Sequence, residues 1–226
     1  MRLLTELHTA NRRSQTLLVM LPPSLSTLED FYQQGFVDAV RQRSIAADLL
    51  LADINAQHVL DRTVVETLHT AVVEPALSDG YRSIWFAGIS MGAFCALHYA
   101  AQHARHVAGL CLLAPYPGTG DVLAEIRAAG GAALWADNPN STQQDERIWW
   151  HWLSRQSALG EAATPVYFGT GLSDRFLRGQ RVLADLLPQE RIHMVEGRHD
   201  WPTWRTLWDD WLDRGPLATP TINHHK

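Results

Sequence analysis

The sequence predicts one α/β domain: a mostly parallel sheet of about six or seven strands, helices on both faces, and a small helical insertion over one end. Three observations carry this expectation. From Thr16 to about Arg214, short apolar runs alternate with segments of helical period, the pattern of strands joined by crossover helices. A chain of 226 residues, 46% hydrophobic and 19% charged, can fill a single large core and offset its chain entropy. A glycine-flanked serine stands at the junction of one apolar run with one helical segment.

In chain order, residues 2–8 show a short alternation that fits an antiparallel edge strand. Strands are expected at 16–21, 47–54, 83–88, 107–113, 165–169 and 191–195, each short and rich in Val, Ile, Leu or aromatic residues. Helices are expected at 29–43, 63–77, 91–104, 176–187 and 201–213, where apolar residues recur at three- and four-residue spacing. Residues 116–164 leave this rhythm. They contain a helical stretch at 121–129, the pair Gly130 and Gly131, and a Trp-rich helix near 145–153, divided by the turn-forming tract Asp137-Asn138-Pro139-Asn140-Ser141. An insertion of that size suits a lid, and residues after about Pro216 read as a tail on a domain that otherwise takes in the whole of 1–226.

A net charge of −5, with both signs mixed along the chain, offers no positive stripe for phosphates, so nucleic acid is not an expected partner. Residues 1–15 carry Arg2, Arg12 and Arg13 without an apolar run of signal length, and no later stretch approaches a membrane span. A cytoplasmic protein without a membrane partner is expected. Cys95 and Cys111 sit in apolar runs, where a thiol acts as a small hydrophobe. No His, Cys and carboxylate set stands at ligand spacing, so no metal or other cofactor is expected.

The chemistry centres on Gly88-Ile89-Ser90-Met91-Gly92, which matches G-x-S-x-G. The bare string arises by chance in roughly one chain of this length in fifteen, given average glycine and serine usage. Its context is more specific, because it follows the apolar run 84–87 and precedes the helical segment 93–104. A sharp strand-to-helix turn needs small residues two before and two after the serine, so that backbone can approach and leave the hydroxyl exposed. A serine hydroxyl is a weak nucleophile at neutral pH; it needs a base, and the base needs a group that fixes its tautomer. Asp174 follows the strand at 165–169 and His199 follows the strand at 191–195, both at carboxyl ends, where open α/β sheets gather their functional residues. Asp200 beside His199, Asp53 and Asp61 are weaker acids by position; His193 falls inside the last strand, while His98, His103 and His106 are expected on the solvated side of the helix after Ser90.

With Ser90, Asp174 and His199 in that order, and with Gly197-Arg198-His199-Asp200-Trp201-Pro202-Thr203-Trp204 like an esterase histidine loop, the chain from about 16 to 214 resembles the α/β-hydrolase superfamily, in particular its compact bacterial serine esterase-like members. The resemblance implies the α/β-hydrolase fold and a serine-ester mechanism through an acyl-enzyme on a carboxylic ester or thioester, with a small-molecule acyl substrate as partner. The same three residues would equally serve an acyltransferase or a peptidase, and a binding protein on this scaffold is the non-catalytic alternative. The chain departs from the family at the first loop, where Met20-Leu21-Pro22-Pro23-Ser24-Leu25 replaces the usual His-Gly. Neither proline can donate, so the oxyanion donors expected are the Met91 and Ser24 amides. Leu25, Tyr116, Trp149, Trp150 and Trp201 are the candidate substrate contacts, the insertion's tryptophans suiting an apolar pocket. Trp201, Trp204, Trp208 and Trp211 also form a stripe at helical spacing, the pattern of packing.

Overall fold

The computed structural model describes residues 1–10, 12–138 and 145–218. Its strands are β1 (Leu3–Glu6), β2 (Thr16–Leu21), β3 (Ala47–Ala52), β4 (Ser83–Ile89), β5 (Gly109–Leu113), β6 (Val166–Gly171) and β7 (Ile192–Val195). They form one sheet in the order β1-β3-β2-β4-β5-β6-β7, with β1 antiparallel to β3 and all other pairs parallel. The expected edge strand is therefore present, shortened to four residues.

The helices are α1 (Leu28–Gln33), α2 (Phe36–Gln42), α3 (Ala56–Leu60), α4 (Val64–Leu68), α5 (Glu74–Ser78), α6 (Met91–His103), α7 (Gly120–Ala128), α8 (Ala132–Ala136), α9 (Arg147–Gln156), α10 (Leu177–Ala184) and α11 (Trp201–Arg214). Because side chains alternate along a strand, each central strand feeds two cores. Leu17, Val19, Leu21, Ile84 and Phe86 face α4, α5, α6 and α9. Leu18, Met20, Trp85, Ala87 and Ile89 face α1, α2 and α11. Both faces are covered, which is why the strands read as continuous apolar runs.

Two expected helices are interrupted, each for a local reason. The single helix read at 29–43 is two, because Gly35 adopts φ +74 and turns the chain between α1 and α2. The helix read at 63–77 passes through a π-helical turn, His69–Val73. Pro75 has no N–H to close an α-turn on residue 71, and the ladder widens just before it. α3 was not expected; Asn55 caps it by accepting from the Gln57 amide at 3.1 Å. Residues 139–141 of the turn tract and residues 219–226 of the tail lie outside the described residues.

Candidate active site

β4 runs into α6 through Ser90, whose backbone holds φ 51 and ψ −107. A non-glycine residue there costs about 1–3 kcal/mol, so its surroundings must hold it. A Cβ on Gly88 would stand 2.4 Å from the Ala93 nitrogen, and one on Gly92 would stand 2.2 Å from the Leu21 carbonyl oxygen. The two glycines thus let α6 press against its own strand and against the end of β2. The Ser90 amide donates to the Leu113 carbonyl at 2.9 Å, and the Tyr116 amide donates to the Ser90 carbonyl at 3.1 Å.

The Ser90 hydroxyl lies 2.9 Å from His199 Nε2, and His199 Nδ1 lies 2.6 Å from Asp174 Oδ2. A carboxylate only accepts, so Nδ1 carries the proton toward Asp174 and Nε2 is left to accept from Ser90. The other carboxylate oxygen, Oδ1, accepts from the Phe176 amide at 2.8 Å. The Asp174 side chain is completely buried and that of His199 is 6% exposed, so water competes little for this chain of hydrogen bonds. Asp200 takes a different part: its Oδ1 accepts from the Thr203 amide at 3.1 Å and hydroxyl at 2.6 Å, capping α11.

Three residues around the triad were not expected from the sequence. Phe176 and Trp204 stand edge-on to the His199 ring, with centroids 5.1 and 5.0 Å away. Buried Gln180 joins the acid's strand to the loop after β5: its Oε1 accepts from Thr170 at 2.5 Å and its Nε2 donates to the Pro115 carbonyl at 3.1 Å. A glutamine on the apolar face of α10 was the available hint, since a buried amide must find partners.

Of the residues expected around a substrate, Met91 is half-buried at the start of α6, while Ser24 and Leu25 are exposed in a turn after the two buried prolines. Leu25 is fully exposed at 104% and holds φ +64. Tyr116 lies between Phe94 and Phe176, 5.6 and 5.3 Å from their rings. Trp149 and Trp150 must be corrected. Both are wholly buried, stacked on each other at 4.6 Å, with the Trp150 indole donating to the Pro117 carbonyl, so they anchor α9 and present no surface to a ligand. Trp201 is half-buried and packs against Phe31, Phe36 and Trp204.

The histidines after Ser90 also differ from expectation. His98 is half-buried against Phe94 at 4.6 Å, and burial pushes its pKa down to about 4. His103 stacks on His69 at 4.4 Å, with His106 beside them; burial and neighbouring cations lower both His103 and His106. His193 lies in β7 near Asp210 and Arg214. Cys95 and Cys111 are buried, and burial pushes the Cys95 thiol up to about 12. Among the described residues no group of three or more His, Cys, Asp or Glu is arranged to hold a metal ion.

Residues 57–212 match the sequence model of the family described as "Putative esterase". A comparison with curated proteins finds no significant match. Among solved structures the chain is similar to S-formylglutathione hydrolase from Staphylococcus aureus, with TM-score 0.62 and 10% identity over 93% of this chain and 85% of that one. It is also similar to the fluorophosphonate-binding serine hydrolase F of the same organism, with TM-score 0.62 and 12% identity over 93% and 86%. Est1E from Butyrivibrio proteoclasticus gives TM-score 0.60 and 15% identity over 93% and 92%. At these identities the likenesses establish the fold, a seven-stranded α/β-hydrolase sheet.

Proposed function

The chain belongs to this esterase family, and on that premise we propose that it is a serine hydrolase cleaving small carboxylic esters or thioesters through an acyl-enzyme on Ser90. The observation that carries the reading is the buried relay from Ser90 Oγ to His199 Nε2 and from His199 Nδ1 to Asp174. Ser90 Oγ attacks the ester carbonyl carbon while His199 Nε2 takes the hydroxyl proton. The tetrahedral intermediate collapses as His199 gives that proton to the departing alcohol or thiol, leaving the acyl group on Ser90. Water then repeats the attack, with His199 as base, and frees the acid. Asp174 holds the imidazole tautomer throughout and stabilises the imidazolium.

The Met91 and Ser24 amides are our choice for the oxyanion donors. The support is the contact of Gly92 with the Leu21 and Pro22 backbone, which brings the start of α6 against the loop that contains Ser24. The described residues of 116–164 serve as a small cap, tied to α6 by Trp149 and Phe94 at 6.2 Å. Est1E has been solved with ferulic acid bound, which supports a small molecule as the substrate class. Two free buried cysteines suit a reducing compartment such as the cytoplasm, and no helix among the described residues is long and apolar enough to cross a membrane.

The test separates the two neighbouring acids. Asp174→Asn is expected to lower ester turnover by ~10³ to 10⁴, as when a base loses its proper tautomer, while Asp200→Asn keeps an accepting oxygen for the α11 cap and leaves turnover close to wild type. A silent Asp174→Asn beside a crippled Asp200→Asn would overturn the assignment.

A further inference from the structure

Phe94, His98 and Gln102 recur every four residues along α6, which starts directly after Ser90, and this stripe floors a groove of about 1000 Å³. Its other walls come from α3 and α4, through residues such as Val59 and Val65, and from Thr119 and Ile148. α3 follows β3, α6 follows β4 and Thr119 follows β5, so three walls begin at the sheet end that holds the relay from Ser90 to Asp174. Phe94, at the Ser90 end of the stripe, meets Tyr116, whose amide holds the Ser90 carbonyl.

The groove's charged groups are mostly compensated. Arg62 and Asp145 pair at 3.1 Å. Burial opposes ionisation of Glu146, yet hydrogen bonds from the Thr119 amide and hydroxyl, and Arg147 nearby, hold its carboxyl below the usual range. Glu66 is exposed. His98 differs from these. Burial keeps it neutral at pH 7, and among the described residues none hydrogen-bonds either ring nitrogen. A neutral imidazole offers one donor and one acceptor, so His98 can both give a hydrogen bond to a ligand in the groove and take one from it.

We propose that this groove is an extended subsite for an uncharged, hydroxyl-bearing arm of the ester, with His98 as the hydrogen-bonding residue that selects the hydroxyl; the proposal rests on Ser90 being the nucleophile. Eight residues of helix place His98 roughly 12 Å from Ser90, so the hydroxyl sits far along the arm. Apolar Phe94, Val59, Val65 and Ile148 cover the stem between them. The arm can belong to the acyl group or to the alcohol, and two substrate series distinguish these.

The first series compares p-nitrophenyl ω-hydroxydecanoate with p-nitrophenyl decanoate, the second ω-hydroxydecyl acetate with decyl acetate, and p-nitrophenyl acetate reports the chemistry alone. In one series the wild type is expected to prefer the hydroxylated ester by about three- to tenfold in kcat/KM, the scale of one hydrogen bond. His98→Phe should abolish that preference and His98→Gln should restore it. Turnover of p-nitrophenyl acetate with no hydroxyl preference in either series, or with a preference that His98→Phe leaves intact or His98→Gln fails to restore, rejects the subsite and leaves the esterase reading standing. A wild type that does not turn over p-nitrophenyl acetate sinks both.

Discussion

Ser90 and Leu25 stand in turns at the same end of the sheet, both at positive φ, 51° and 64°, and the two turns are supported in opposite ways. The Ser90 turn is locked by Gly88 and Gly92 contacts, by a hydrogen bond to Leu113 and by another from Tyr116. The Leu25 turn follows two rigid prolines, yet Ser24 and Leu25 themselves are exposed. Strain at Ser90 is thus imposed by close packing, whereas strain at Leu25 stands on a loop stiffened only from one side. The proposed oxyanion site is built where these two turns touch, at Gly92 against Leu21 and Pro22.

Breaking that contact should have the largest effect. Gly92→Ala puts a methyl 2.2 Å from the Leu21 carbonyl, a backbone atom that cannot rotate away. We expect turnover to fall by about a thousandfold or more, because nucleophile and both donors shift together, with about 1–3 kcal/mol of stability lost to overpacking in a denaturant melt. Near-normal kinetics in Gly92→Ala would mean that the two turns need not touch.

Ser24→Pro is next. It removes one amide, so kcat is expected to fall roughly a hundredfold to a thousandfold, while Ser24→Ala keeps the amide and stays close to wild type. Equal effects of the two substitutions would assign the role to the hydroxyl. The smallest effect belongs to Leu25→Gly: relief of the left-handed strain and the added entropy of the unfolded chain oppose each other, leaving stability within about 1 kcal/mol by chemical unfolding. A larger loss would show that the Leu25 turn is held as firmly as the Ser90 turn.

Which parts of this were legible in sequence follows from the range of the interactions. The Ser90 turn was legible because its requirements are local: an apolar strand, two glycines and a helix within a few residues. Asp174 and His199 were legible because strand ends mark them, even though the hydrogen bond joining them spans 25 residues. Burial within the insertion was not. Trp149 and Trp150 have the composition of a pocket wall, and only the packing of α9 on α6 turns them inward. The solvated side expected for His98 failed similarly, since α3 and α4 close over that stripe from earlier in the chain. Gln180, Phe176 and Trp204 act through neighbours distant in sequence, which periodicity does not register.

In the proposed mechanism Ser90 is an activated nucleophile because His199 and Asp174 are aligned behind it. Reaction with a fluorophosphonate, followed by peptide mapping, tests it most directly, since the reagent phosphonylates an activated serine. One label per chain is expected, on Ser90, absent in Ser90→Ala and strongly slowed in His199→Ala. An unlabelled wild type, a label on another serine, or a labelling rate indifferent to His199→Ala would contradict it.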